Sequence, residues 1–243
     1  MDHQSLANID FLGFSDPVSS ISHLLAAFVF LLIGVRVIYR HRVNTAFIAS
    51  MSIFVLAVIF TLSMSGVYHL LTPETPGREV MQRLDHAAIF FLIAATFTPV
   101  HVLLFKGFLR WGILLLIWST AITGITLKSI FFNDINEWLG LTFYLGLGWV
   151  GAISGYFLFR RFGWVYLKPL MYGAIAYTIG AVLDYSTYPV LIERVIGPHE
   201  IFHLMVIVGI AMHWKFLVRI VEFNDTKNTE SIPQGAVAHS LPD

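Results

Sequence analysis

The chain has 243 residues, of which 57% are hydrophobic and 12% are charged, and its formal net charge is zero. Ordinary globular chains carry about a quarter charged residues, so this composition is that of a membrane protein, and it gives no indication of nucleic-acid binding. The absence of cysteine excludes disulfides and cysteine metal ligands. The first residues, MDHQSLANIDFLGFSD, lack the basic region of a signal peptide, so the first apolar run is expected to remain as a membrane span.

Seven long apolar runs follow along the chain, at about 19–39, 45–71, 84–105, 111–131, 137–158, 164–185 and 199–221. Each is long enough for about 20 residues of helix across a bilayer core. Because helices satisfy their own backbone hydrogen bonds in lipid and the runs lack the alternation of barrel strands, the sequence predicts an all-α, seven-transmembrane helix bundle in a lipid bilayer. The predicted membrane domain is 19–221, between a short N-terminal segment, 1–18, and a tail, 222–243, whose polar composition predicts disorder.

Lysine and arginine are divided unequally between the two sides of such a bundle. Eleven of the fifteen fall on the side of the first, third and fifth connections and the C-terminus; the other four are Arg78, Arg83, Lys128 and Arg194. Since cytoplasmic loops are enriched in basic residues, the N-terminus is predicted to lie outside and the C-terminus in the cytoplasm.

Glycines cluster in the fifth apolar run, where Gly151 and Gly155 form a small-xxx-small pair. Such pairs let helices approach closely. The pair therefore predicts tight packing within the bundle or, as an alternative, a homodimer.

Several polar side chains lie inside the apolar runs, where they are costly and mark functional sites by default. Odd-numbered spans run in one direction and even-numbered spans in the other. The end of the second span, with His69, therefore shares a membrane face with the starts of the third and seventh. Asp85 is expected in the first turn of the third helix, and His199 just after Pro198. The candidates on this face are Ser65, His69, Asp85, His86, His199, Glu200 and His203.

The segment HEIFH, residues 199–203, fits H-E-x-x-H, the signature of zinc metalloproteases. Its two histidines are four apart, so they share one helix face. The protease interpretation fails, however. Glu222 is nineteen residues after His203, which is roughly 28 Å along a continuous helix, and the longer H-E-x-x-H-x-x-G-x-x-H signature is not met. The third ligand is therefore predicted to be His69, giving three imidazoles and an open position, as in catalytic zinc sites.

The remaining polar residues have less specific interpretations. Glu200 is predicted to be either a base or a solvent-facing residue at the helix start. His23 falls on the same membrane face, with a structural or a functional role. His86 is predicted to be a packing or interfacial residue, and His101 and His213 to be structural, toward the opposite face.

Four stretches together resemble the hemolysin III family, which belongs with the progestin and adipoQ receptors. They are DPVSSISHLLAA (16–27), SGVYHLL (65–71), RLDHAAIFFLIAATFTPV (83–100) and HEIFHLMVIVG (199–209). The resemblance implies a seven-helix fold in which His69, His199 and His203 bind zinc, an aspartate in the position of Asp85 holds a zinc-bound water, and Ser65 lies beside the site. Bacterial members carry the hemolysin name, so the bacterial inner membrane is the expected location. The receptor branch has its N-terminus in the cytosol, opposite to the charge distribution here.

Three functions are compatible with these features. The first is a zinc-dependent hydrolase of a lipid amide or ester, like the alkaline ceramidases of the wider superfamily, with Asp85 and Ser65 as catalytic residues. The second is a sensor or receptor with a structural zinc ion. The third is a pore-forming hemolysin, which is disfavoured because no helix shows a regular polar stripe. As alternatives, Asp85 would cap the third helix, and Ser65 would bond to the carbonyl four residues earlier.

Overall fold

The fold is helical throughout the computed structural model, which describes residues 15–42, 44–193 and 195–230, with side chains to 222. The helices are α1 (Pro17–Arg40), α2 (Thr45–Leu70), α3 (Pro76–Leu104), α4 (Gly107–Ile130), α5 (Glu137–Trp149), α6 (Gly151–Phe162), α7 (Trp164–Ser186) and α8 (Pro198–Glu230). Helices α5 and α6 form one apolar segment, Glu137–Phe162. Every predicted apolar run therefore falls on helix, and the prediction of an all-α membrane bundle is confirmed.

Six of the helical segments described are long and apolar enough to cross a membrane, by length and composition alone. Helix α7 is not among them; Lys168, Asp184 and several tyrosines and glycines lower its hydropathy. Large apolar side chains such as Leu25, Phe108 and Trp111 point outward from the bundle. This apolar outer surface is the one that a lipid bilayer covers.

Helix α3 begins earlier than its apolar pattern predicts. Thr75 accepts a hydrogen bond from the backbone N–H of Arg78, and Pro76 occupies the first helical position, where its missing N–H is harmless. The polar stretch before 84 is therefore helix rather than connection. Asp85 consequently lies in the third turn of α3, and the expectations that it sits in the first turn or caps the helix are wrong.

The structure describes only parts of the predicted N-terminal segment and C-terminal tail. Residues 1–14 of the predicted N-terminal segment, Arg194 and residues 231–243 of the predicted tail lie outside the described residues. Helix α8 continues to Glu230, beyond the expected end of the last span at 221. The division into segment, membrane domain and tail stays a prediction.

The centre of the bundle is built from aromatic side chains of α1, α2 and α8. The ring of Trp214 on α8 lies 5.8 Å from that of Phe30 on α1 and 5.6 Å from that of Phe54 on α2, centroid to centroid. Gly34 lets α1 approach α2, because a Cβ atom there would lie only 2.7 Å from a methyl group of Val55. These contacts hold α1, α2 and α8 side by side.

Helices α7 and α8 pack as an antiparallel hairpin in which glycines of one helix face large side chains of the other. A Cβ atom added at any of these glycines would meet the opposing side chain at 2.4–2.7 Å, so only glycine fits at this separation. The pairs are Gly173 with His213, Gly180 with Met205, and Gly209 with Tyr177. This close packing fixes the end of α7 beside the start of α8.

The glycine pair of the fifth apolar run is divided between two environments. A Cβ atom at Gly151 would lie 3.3 Å from the ring of Phe97 on α3, whereas nothing lies within 4 Å of one at Gly155. Gly151 therefore packs within the bundle. The homodimer stays a prediction.

Candidate metal centre

The imidazoles of His69, His199 and His203 meet at one end of the bundle. The Nε2 atom of His199 lies 3.2 Å from Nε2 of His69 and 3.0 Å from Nε2 of His203. One nitrogen from each ring lies within 4.8 Å of the other two. His69 is the next-to-last residue of α2, and His199 is the second residue of α8. Antiparallel helices thus bring together the three histidines that the sequence selected.

A carboxylate and an arginine hold the far side of the His69 ring. Nδ1 of His69 lies 3.0 Å from Oδ2 of Asp16, and Nη2 of Arg78 donates to the same oxygen at 3.0 Å. Arg78 also donates to the Leu71 carbonyl and lies over the Tyr68 ring. Burial by itself raises the pKa of Asp16, but His69 and Arg78 outweigh it and hold that pKa below its ordinary value. Asp16 is therefore an ionised acceptor for the Nδ1–H of His69.

The His199 ring has its own carboxylate partner. Nδ1 of His199 lies 3.0 Å from Oδ1 of Asp184, in the last turn of α7. The close packing of α7 on α8 brings the Asp184 carboxylate within hydrogen-bonding distance of the His199 ring. A carboxylate that accepts the second N–H of a ligand histidine fixes the ring's orientation and tautomer, and it is a common feature of metal sites.

The third ring, His203, is held by α1 and α2. Its Nδ1 lies 3.1 Å from Nδ1 of His23 and 3.5 Å from Oγ of Ser65, and Nε2 of His23 lies 3.2 Å from the His203 carbonyl. Nδ1 of His203 is also 3.1 Å from Nε2 of His23; the contacts are satisfied when His23 donates from Nε2 to the carbonyl and accepts at Nδ1 from His203. His23, ambiguous in the sequence, thus touches a ring of the centre.

The donor set fits a zinc ion. All three Nδ1 atoms have partners outside the centre, so each ring directs Nε2, an acceptor lone pair in this tautomer, toward the common point. Three lone pairs at this distance repel one another unless a cation lies between them. Nitrogens bound to a tetrahedral zinc ion lie roughly 3.3 Å apart, close to the 3.0 and 3.2 Å here. Imidazole also suits copper, iron and nickel, so the fit is to a divalent metal of this class.

Ser65 and Asp85 lie beside the three histidines. Ser65 is one turn before His69 on α2 and is buried. The carboxylate of Asp85 lies near the Ser65 hydroxyl and near His199, and the Asp85 side chain is 15% exposed. His69 and His203 are only 2% and 3% exposed, whereas the His199 side chain is 44% exposed. The centre is therefore open on the side of His199.

Glu200, the glutamate of the HEIFH segment, caps α8. Its Oε2 accepts a hydrogen bond of 2.8 Å from the backbone N–H of Gly197, just before the helix, as the glutamate of a capping box does. Oε1 lies 3.5 Å from Oγ of Ser19. Of the two roles considered, these contacts favour the helix start over a base.

The other histidines have hydrogen-bond partners outside the three-histidine cluster, and Nδ1 of His86 also lies 4.0 Å from Oδ2 of Asp85. His86 donates from Nδ1 to the Gln82 carbonyl at 2.9 Å. His101 lies 2.7 Å from the Leu109 carbonyl and 2.9 Å from Oγ of Ser154. His213 donates from Nε2 to the Leu170 carbonyl at 3.3 Å. Their contacts are those of packing residues, as expected from the sequence.

Comparison with known proteins agrees with the architecture. The family described as Haemolysin-III related matches residues 14–214, a range that contains every residue of the centre. The chain belongs to the hemolysin III family. Hemolysin-3 of Bacillus cereus is 30% identical over 177 residues, which cover 71% of this chain and 75% of that protein. The Hemolysin-3 homolog of Bacillus subtilis (strain 168) is 29% identical over 164 residues, 68% of this chain and 73% of that protein.

Sequence reasoning missed the two carboxylates that orient the histidines in this hemolysin III chain. Asp184 carries a usable signal, since it is an acidic residue at the end of an apolar run on the same membrane face as His199. Asp16 lies within the quoted DPVSSISHLLAA stretch, but just before the first helix, so a search confined to the spans passes over it. Arg78 lies in the polar stretch that was interpreted as a connection.

We expect one divalent metal ion per chain in this hemolysin III protein, and its loss in His69→Ala and His203→Ala. Each substitution removes one of three ligands, and two nitrogens rarely retain a metal against solvent. Inductively coupled plasma mass spectrometry of the purified proteins measures the content. His101→Ala is the matched control, because that ring contacts the Leu109 carbonyl and the Ser154 hydroxyl instead; full metal content in His69→Ala would contradict the site.

Asp184→Asn should weaken metal binding roughly 10–100-fold, the usual effect of removing a carboxylate behind a ligand histidine. The amide keeps the size of the side chain but loses the charge that orients the Nδ1–H of His199. Competition with a chelator measures the affinity, and circular dichroism checks the fold. Asp134→Asn, in the exposed connection between α4 and α5, should leave the affinity unchanged. Equal affinities for both variants would remove Asp184 from the centre.

Proposed function

We propose that the protein is an integral membrane, zinc-dependent hydrolase of a lipid amide or ester, similar in chemistry to a ceramidase. The observation that carries this proposal is the open side of the histidine cluster, where the half-exposed His199 adjoins Asp85. Structural zinc sites are closed by four protein ligands, whereas catalytic sites have three and keep a position for water or substrate. Within the described residues the cluster has three members.

Each residue of the centre has a role in this reaction. His69, His199 and His203 would hold the metal through Nε2, and zinc bound there would supply a Lewis acid that polarises a carbonyl and acidifies water. The Asp85 carboxylate would accept a proton from the attacking water and return it to the leaving nitrogen or oxygen. Ser65 would donate from Oγ to the carbonyl oxygen as it becomes negative.

A lipid substrate is supported by the surroundings of the centre. The three histidines lie at the ends of membrane-spanning helices, and the ring of Phe202 lies 6.3 Å from that of His199. An acyl chain from the bilayer would meet apolar side chains on its way to the metal. An amide or ester is the linkage that a polarised carbonyl and a general base hydrolyse.

The proposal includes an orientation in a bacterial inner membrane, with the N-terminus and the metal centre outside and the C-terminus in the cytoplasm. The four basic residues assigned to the outer side, against eleven on the other, support it. Because the chain lacks cysteine, single cysteines at Asp134 and Lys106 report the two sides. We expect an impermeant maleimide on intact cells to label Asp134→Cys and to leave Lys106→Cys unlabelled. The reverse pattern would overturn the orientation.

Asp85→Asn should reduce hydrolysis of a panel of N-acyl lipids by at least about 100-fold, the usual lower range for a lost general base. The variant should keep its metal and its fold, because Asp85 is not a ligand. Turnover and metal content are measured on the same preparation, with Asp134→Asn as the control.

The same experiment separates the hydrolase from its rivals. Unchanged turnover in Asp85→Asn would contradict the catalytic role of this carboxylate. No turnover by the metal-loaded wild type would favour a sensor with a structural metal. The two Bacillus relatives carry the hemolysin name; dye release from liposomes that persists without metal would favour a pore instead.

A further inference from the structure

A buried lysine lies at the end of the bundle that carries the metal centre. Lys128, in the last turn of α4, is 6% exposed. Its Nζ lies 5.1 Å from the centre of the Phe132 ring, and a Cβ atom at Gly140 would lie 3.4 Å from Nζ. Among the described residues no oxygen accepts a hydrogen bond from this ammonium. The carboxylate that interacts electrostatically with it is that of Glu137, which is exposed at the start of α5. A lysine is rarely buried to this degree without a hydrogen-bonded counter-ion.

A second cation faces the same ring. Arg83 on α3 donates from Nη1 to the Ser129 carbonyl at 3.0 Å, and its guanidinium carbon lies 5.6 Å from the centre of the Phe132 ring. Lys128 and Arg83 therefore both face Phe132, in the connection that follows α4. The acceptor found for Arg83 is a neutral carbonyl, so the pair keeps an excess of positive charge.

His86 connects this pair to the metal centre. Its ring lies 5.1 Å from that of Phe132, and its Nδ1 lies 4.0 Å from Oδ2 of Asp85. Because Nδ1 of His86 bonds to the Gln82 carbonyl, Nε2 is left without a hydrogen-bond partner among the described residues. His86 thus lies between the Phe132 ring, which both cations face, and the Asp85 carboxylate beside the three histidines.

We propose that Lys128 and Arg83 bind the anionic group of the lipid, a phosphate monoester or a carboxylate, whose acyl linkage reaches the metal centre. This inference rests on the proposed hydrolase function and narrows its substrate class to anionic lipids. An anion would give Lys128 the charge-assisted hydrogen bonds that the described residues do not provide. Position in the last turn of a helix favours a lysine through the helix dipole, but it does not require that the lysine be buried.

Binding is tested with two probes that differ in a single phosphate, dioctanoyl phosphatidic acid and dioctanoylglycerol. Isothermal titration of the full chain in a maltoside detergent should give at least about tenfold tighter binding of the phosphatidic acid, the range expected for a hydrogen bond between charged groups. Lys128→Gln should abolish this difference, and Lys128→Arg should restore it. Lys106→Gln, at the opposite end of α4, is the matched control and should behave as wild type.

Two further arms make the outcome decisive. Metal-free His69→Ala protein should retain the preference for phosphatidic acid, so loss of hydrolysis and loss of this subsite are measured separately. Inorganic phosphate should compete only weakly, because the acyl chains contribute to binding. Equal affinities for the two probes, an unchanged preference in Lys128→Gln, or competition by phosphate as strong as that by the lipid would overturn the proposal.

Discussion

The structure depends on three imidazole nitrogens held at one point between helices that are far apart in the sequence. Each ring is turned by a partner at Nδ1: Asp16 for His69, Asp184 for His199 and His23 for His203. Unpaired polar groups are costly inside an apolar bundle. The Nδ1 partners remove that cost on one side of each ring and concentrate three lone pairs on the other, where a divalent cation would satisfy all of them at once.

The helices meet at this point because their packing leaves little freedom. The glycines opposite His213, Met205 and Tyr177 bring α7 against α8, so the last turn of α7 delivers Asp184 to the first turn of α8. At the start of α1, the backbone N–H of Asp16 donates to the His69 carbonyl while its side chain meets the same residue's ring. Helix packing and orientation of the histidines are thus parts of one arrangement.

The HEIFH segment illustrates how context decides what a motif does. In this chain the glutamate between the histidines bonds to the N–H of Gly197 and stabilises the helix start. The carboxylate that we propose as the base is Asp85, from another helix. The two histidines share one helix face because their spacing of four residues imposes it, whereas the position of an acid or base depends on which helix packs alongside.

The sequence by itself determined the fold class, a bundle of membrane helices, and the end of the bundle at which the histidines lie. Apolar runs of membrane length predict helices because lipid offers no other partner for the backbone, and alternating helix direction places His69 at the same end as His199 and His203. The start of α3 was predicted late because Thr75 and Pro76 define it, whereas the apolar pattern begins eight residues further on. Only the tertiary structure decided the roles of Asp16, Asp184, His23 and Glu200. The hydropathy pattern predicts how deep in the membrane a residue lies. Hydrogen bonds depend instead on the rotation and separation of packed helices, and contacts between side chains distant in the sequence determine both.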